Sequence, residues 1–180
     1  MHEGDNGITY SFSICKTCKK GCCQDTRPPL SEKRKKIINE HLEKHKISIR
    51  KPFVKAGYSY PAVDVFLFCR FFDKETGKCS VHPVKPETCV AGPVTFGINF
   101  PTKKVEWFLK NEEICAFAAV LHSDKVAFKK HLEIAKKQLT QLICELDPEE
   151  LRTIVKIDEP QTFKIGEDDL PLETIKKLGL

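Results

Sequence analysis

The sequence predicts an α+β protein: a small, loop-rich cysteine-cluster module with a few short strands, followed by C-terminal helices. Three observations carry that prediction. Eight of the nine cysteines precede Ala116. The segments between them hold turn-forming residues and short apolar runs of strand length. From Ser123 onward the apolar residues change to a spacing of three and four, which is helical. A chain of 180 residues, 41% apolar and 31% charged, can bury a core and suits one domain with an appended element. We therefore expect a metal-binding module over residues 1–121 and a helical extension packed on it over residues 122–180.

The elements follow in order. Residues 15–29 form a polar, Lys-rich loop holding Cys15, Cys18, Cys22 and Cys23. Ser31 suits an N-cap, Glu32 suits the first turn, and Ile37, Ile38, His41, Leu42 and His45 fall on one face, so residues 32–45 read as an amphipathic helix. Strand-like sequence follows at Ile47, Ile49 and Phe53 and then over residues 63–68. Thr76-Gly77, His82-Pro83 and Lys85-Pro86 make residues 69–89 rich in turns. Residues 93–100 and 105–109 read as two strands joined by a hairpin at Pro101-Thr102-Lys103. Phe128, Leu132, Ala135, Leu139, Leu142 and Leu146 mark a long helix of roughly six turns. Asp147-Pro148-Glu149-Glu150 is a helix start, with Asp as cap and Pro at the first position. Residues 172–178 form a last short helix.

Near the N-terminus, His2, Glu3 and Asp5 do not resemble a basic start followed by an apolar run. The longest apolar stretches, residues 65–69 and 114–121, are far too short to span a bilayer. The expectation is a cytoplasmic protein with no membrane partner. In a reducing compartment, clustered cysteines read as metal ligands or redox groups before they read as disulfides, and an odd count of nine points the same way.

The cysteines run C-x2-C-x3-C-C, then a gap of 45 residues, then C-x9-C-x9-C, then Cys115. A C-x2-C pair places two sulfurs on one turn, within reach of one metal at about 2.3 Å. Gly21, just before Cys22, permits a positive φ that turns the backbone. Neighbouring side chains generally point apart, which makes Cys22 and Cys23 hard to place on one mononuclear ion. They fit two metals, two irons of one cluster, or one metal and a supporting role better than a single ion. The second half has no C-x2-C knuckle, so the zinc-ribbon signature is absent. Eight cysteines can supply two four-sulfur sites, or one such site and a redox-active remainder.

One stretch is more specific. Cys69-Arg70-Phe71-Phe72-Asp73, then Thr76-Gly77-Lys78-Cys79-Ser80-Val81-His82-Pro83-Val84-Lys85-Pro86 and Cys89, follow the first cluster and a helix in this order. Together they resemble the signature of the YkgJ-like cysteine-cluster proteins, described as zinc- or iron-chelating domains or as iron–sulfur oxidoreductases. The similarity spans roughly residues 15–115. It implies that Cys15, Cys18, Cys22, Cys23, Cys69, Cys79 and Cys89 are the metal-site residues, and that the cofactor is an iron–sulfur cluster or zinc. Cys115 occupies the place of a later cysteine in relatives. Lys85 stands where relatives usually have Arg, and Val90-Ala91-Gly92-Pro93 replaces their Arg-Leu-Phe-Pro. Lys cannot copy the bidentate grip of Arg on a carboxylate or phosphate. The resemblance therefore implies a metal site and not a defined reaction.

Other residues compete for roles. Cys144, in the long helix, reads as a packing residue. Cys115 divides evenly between ligand and packing, because Ile114, Ala116 and Phe117 surround it in sequence. His82 lies between two candidate ligands but takes the aromatic position of the motif, which favours packing. His41 and His45 read as core or boundary residues, and His122 and His131 have no ligand partner at useful spacing. The run Lys33-Arg34-Lys35-Lys36 opposes the helix dipole and reads as a solvated face.

The net charge of +5 would fall towards zero once thiolates were ligated, so a nucleic-acid partner is not expected. The leading function is a metal-binding protein that holds an iron–sulfur cluster or zinc, with room for a redox or electron-transfer role and a protein redox partner. The alternative is a non-catalytic, zinc-stabilised interaction module that holds an acidic protein or RNA through Arg27 and residues 33–36. A metal handling or delivery protein is the third reading, and it requires exchangeable thiolates.

Overall fold

The computed structural model describes Ile14 and residues 23–159 and 161–180. Helix α1, Glu32–Lys44, starts where Ser31 Oγ accepts the Arg34 N–H at 3.1 Å, and it buries Ile38 and Leu42. Strands β1, Phe53–Ala56, and β2, Tyr58–Pro61, pair through a one-residue reversal in which Ala56 faces Tyr58. Gly57 makes that reversal with φ +78°, and a Cβ there would lie 3.0 Å from the Thr153 methyl group.

Strands β3, Phe72–Asp73, and β4, Lys78–Cys79, form a second small hairpin. The Asp73 carboxylate shapes it by accepting the Glu75 N–H at 2.9 Å and the Thr76 hydroxyl at 2.6 Å. A 3-10 turn at His82–Val84 leads into helix α2, Glu87–Ala91.

The largest sheet is antiparallel, in the order β5-β6-β7: Val94–Asn99, Lys104–Lys110 and Thr162–Asp169. Strand β6 alternates, burying Val105, Trp107 and Leu109 on one face. Helices α3, Ala116–Ser123, and α4, Lys125–Glu145, follow; Asp124 separates them and caps α4 by accepting two backbone N–H groups at 2.9 Å. Helix α5, Pro148–Ile154, opens with a capping box between Asp147 and Glu150. Helix α6, Leu172–Leu178, stops at Gly179 in the left-handed region. One core unites Ile38, Phe71, Val81, Trp107, Leu139 and Leu151, so both halves of the chain share it. Among the described residues no helix is long and apolar enough to cross a membrane.

The mixed α+β class, the two hairpin strands after Pro93 and the C-terminal helices agree with the sequence reading. Five details differ. The strand expected from Ile47 and Ile49 begins only at Phe53, because Lys46 and Lys51 take left-handed backbone angles and Pro52 has no N–H to pair. Residues 63–68 are not a strand, because Asp64 Oδ1 accepts the N–H groups of Phe66 and Phe68 and Leu67 takes φ +65°. Only single bridges remain there, Gln24 with Phe68 and Val63 with Cys69. Residues 116–123 are a separate helix in front of the long one. Strand β7 means that the region after residue 122 is not wholly helical; it completes a sheet begun by β5 and β6. His45, expected at the core or its boundary, is exposed.

Candidate metal centre

The segment after the first cluster lies antiparallel to the segment before the second. The Cys69 N–H donates to the Cys23 carbonyl at 2.7 Å, and the Asp25 N–H donates to the Leu67 carbonyl at 2.9 Å. The Arg70 N–H donates to the Ala62 carbonyl at 2.9 Å, which ties Cys69 to the end of β2 as well. The Cys69 carbonyl in turn accepts the Phe72 N–H at 2.9 Å, and Phe72 pairs directly with Cys79. Cys23, Cys69 and Cys79 are thus successive points on one hydrogen-bonded backbone network. The Ser80 N–H and hydroxyl both donate to the Phe71 carbonyl, at 2.7 and 3.0 Å, which pins the chain just beyond Cys79.

Cys89 lies inside α2, and α2 is clamped from both sides. Glu87, 1% exposed, accepts the Ser31 hydroxyl at 2.7 Å and pairs with Arg34 at 3.6 Å. The Thr88 hydroxyl donates to the Pro29 carbonyl at 2.9 Å. From α4, the His131 Nε2–H donates to the Ala91 carbonyl at 2.9 Å. Burial pushes the His131 imidazole below the usual histidine range, and the charge of Lys85 pushes the same way. The His131 ring stands edge-on to Phe117 with centroids 4.8 Å apart. Cys115 is the N-cap residue of the helix that carries Phe117.

Cys23, Cys69, Cys79, Cys89 and Cys115 are all half-buried, and Cys69, Cys79 and Cys115 pack against the core. His82 is half-buried on the 3-10 turn. Cys15, Cys18 and Cys22 lie outside the described residues. Among the described residues, no three His, Cys, Asp or Glu side chains converge in a way that could hold an ion. The donor set is still chemically suited to the group: soft sulfur ligands at the edge of an apolar core fit zinc or iron.

Cys144 stands apart. Its sulfur accepts the Thr174 hydroxyl of α6 at 3.8 Å, and burial pushes its thiol pKa up, as a packing residue requires.

A model of the CxxCxxCC family, described as "Putative zinc- or iron-chelating domain", matches residues 14–116. The chain belongs to this family. No curated protein matches the chain significantly, and no solved structure does. The matched CxxCxxCC segment ends beside Cys115, so α4, α5, β7 and α6 lie beyond it. Even so, β7 completes the sheet of the CxxCxxCC domain, and α4 supplies the histidine that holds α2.

Two features of the CxxCxxCC domain were not evident from sequence. The loop at residues 64–68, just before Cys69, projects Val65 (89% exposed) and Phe66 (67%) into solvent. Lys74 braces it, 2.7 Å from Asp64 and 4.6 Å from the centres of the Phe66 and Phe68 rings. In the basic run on α1, Lys33 and Lys36 are exposed as expected, but Arg34 and Lys35 are engaged by the protein's own groups. The Arg34 side chain, 14% exposed, reaches Gln138 at 2.7 Å as well as Glu87, and Lys35 pairs with Glu32 at 2.6 Å.

Proposed function

We propose that this protein holds a metal centre on cysteines drawn from both halves of the motif: Cys15, Cys18, Cys22, Cys23, Cys69, Cys79 and Cys89, with Cys115 at its edge. Metal chelation is the general property of the family. The hydrogen bond from Cys69 to Cys23 carries the specific reading, because it joins the last cysteine of one cluster to the first of the next. Such a centre belongs to the unit over residues 1–121, with residues 122–180 packed on it.

Of the two cofactors, we favour an iron–sulfur cluster. Cysteines taken singly from different turns suit a polynuclear cluster as well as they suit mononuclear zinc, and the adjacent pair Cys22-Cys23 fits two irons of one cluster better than a single ion. A bound cluster would supply one-electron transfer, and the chain's own part would be to hold thiolates at the edge of an apolar core. An oxidoreductase role with a protein redox partner in the cytoplasm follows from that choice. The rival reading, a zinc-stabilised module for an acidic protein or RNA, loses support because Arg34 and Lys35 are engaged by the protein's own groups.

Anaerobic purification, metal analysis and a visible absorption spectrum test the proposal. Iron with inorganic sulfide and broad charge-transfer absorption is the expected result. A colourless protein containing zinc would overturn the iron–sulfur assignment, and a protein without metal would overturn the centre itself.

A further inference from the structure

Helix α1 and its C-cap carry two imidazoles that do not belong to the cysteine motif. His41 and His45 are four residues apart, so they project from one face on consecutive turns. Their ring centroids lie 4.3 Å apart with the planes inclined at 40°. His45 is exposed at the C-cap, and His41 is half-buried beneath it.

The tautomer of His41 follows from its partner. Its Nε2 lies 3.2 Å from the Ser80 carbonyl oxygen. A carbonyl only accepts, so Nε2 carries a proton, and in the neutral ring Nδ1 keeps its lone pair. Metal-binding imidazoles are oriented in this manner: the nitrogen away from the metal donates to a carbonyl, which fixes the ring and raises its basicity. A core histidine satisfied by one hydrogen bond would account for His41 alone. It leaves unexplained the exposed second imidazole tilted against it.

We propose that His41 and His45 form a two-imidazole site for a divalent transition ion of the zinc, nickel and copper class, with water completing the coordination shell. Imidazole donors select these borderline ions over calcium or magnesium. Two protein ligands leave the ion exchangeable, unlike a closed four-ligand structural site. The carbonyl that orients His41 belongs to Ser80, which directly follows Cys79. An ion on this helix is therefore tied through a single hydrogen bond to the chain beside a family cysteine, which suits a loading site. That loading role rests on the cysteine-centre reading; the binding site does not.

The test is calorimetric titration of the full-length protein, as purified, with Ni²⁺. One additional ion per chain is expected, with no change in the metal already bound. H45Q and H41Q should each weaken that binding by about a hundredfold, since two linked ligands become one. His45 is exposed, so H45Q should not disturb folding, and the side-chain amide introduced by H41Q can still donate to the Ser80 carbonyl. Ni²⁺ uptake that survives H45Q, or that disappears only when Cys79 is replaced, overturns the proposal. If the purified protein holds no metal on its cysteines, the cysteine reading fails, and the comparison of wild type with H45Q still decides this one.

Discussion

The amide of Cys69 donates to the carbonyl of Cys23 at 2.7 Å, across a gap of 45 intervening residues. That gap contains α1 and the β1–β2 hairpin, both anchored in the core through Ile38, Tyr58 and Tyr60. Bringing the two cysteine clusters together therefore requires the intervening chain to fold. Metal ligation and folding should be coupled in this region.

Chelation should expose that coupling. Stripping the metal should open residues 23–115 to protease while the far-UV helical signal of Lys125–Glu145 largely persists, because α4 has its own cap and apolar stripe. Limited proteolysis followed by mass spectrometry reads the result. Unchanged resistance across residues 23–115 after complete metal removal would show that the cysteines do not support the fold.

Single replacements separate ligands from bystanders. Cys69→Ser, Cys79→Ser and Cys89→Ser should each lower bound metal, since a hydroxyl replaces thiolate poorly on zinc or iron. Cys144→Ser should keep the metal and cost only about 1 kcal/mol, because its sulfur packs against α6. Metal analysis of the four variants decides, and equal loss in all four would reassign Cys144.

Glu87 offers a test that touches no sulfur. Its buried carboxylate holds both Ser31 and Arg34, so Glu87→Ala leaves the Ser31 hydroxyl without its acceptor and the Arg34 guanidinium without its counter-charge, with only Gln138 to bond. Breaking such a buried arrangement should cost about 3 kcal/mol in denaturant unfolding. Glu87→Gln keeps a partner for Ser31 and should cost less. An E87A variant as stable as wild type would mean that α2 is held by its other contacts alone.

Much of this architecture could be read from the residues. Ser31 and Asp147 announce helix starts because caps are local chemistry, and each performs as its type suggests. The β5–β6 hairpin was legible from two strand-like segments joined at Pro101-Thr102-Lys103. Residues 63–68 were not, since their apolar composition mimics a strand while the Asp64 side chain and the left-handed Leu67 bend the chain outward. Strand β7 has mostly exposed positions and no apolar alternation; its backbone pairing and the Lys164–Glu106 ion pair hold it as a sheet edge. The order of the cysteines pointed to the family, but not to which backbone segments would meet. The role of His131 is hidden for a physical reason as well: its partner is a carbonyl 40 residues away, which leaves no spacing signal.

His131 gives the protein a defined acid sensitivity. Burial is the main cause holding its pKa below the usual range, with the carbonyls of Ala91 and Gly92 pulling partly the other way. The unfolded chain takes up that proton more readily than the folded one. The stabilising contribution is therefore complete above about pH 6.5 and is lost as pH falls through the lower folded value. Asp168, depressed mainly by its bond to Lys136, adds a separate loss only below the usual carboxylate range. Thermal midpoints should decline in the first window for wild type and decline less for His131→Gln. Parallel curves for the two proteins would show that His131 does not set the slope.

The adjacent pair at Cys22 and Cys23 separates the two cofactor readings most sharply. If a polynuclear cluster or two neighbouring sites use both sulfurs, neither should react with an alkylating probe in the metal-loaded protein, and Cys22→Ser should lose a different share of metal from Cys23→Ser. A single mononuclear zinc fills its tetrahedral shell with four sulfurs and leaves at least half of the eight cysteines before Ala116 without a metal. One member of the pair would then be available, close in sequence to Lys19 and Lys20, whose charges favour the thiolate. Mass spectrometry of the alkylated holo-protein distinguishes these outcomes. We expect protection of Cys22, Cys23, Cys69, Cys79 and Cys89 together. Modification of either Cys22 or Cys23 under conditions that retain the full metal content would exclude the fully ligated cluster and return the assignment to zinc.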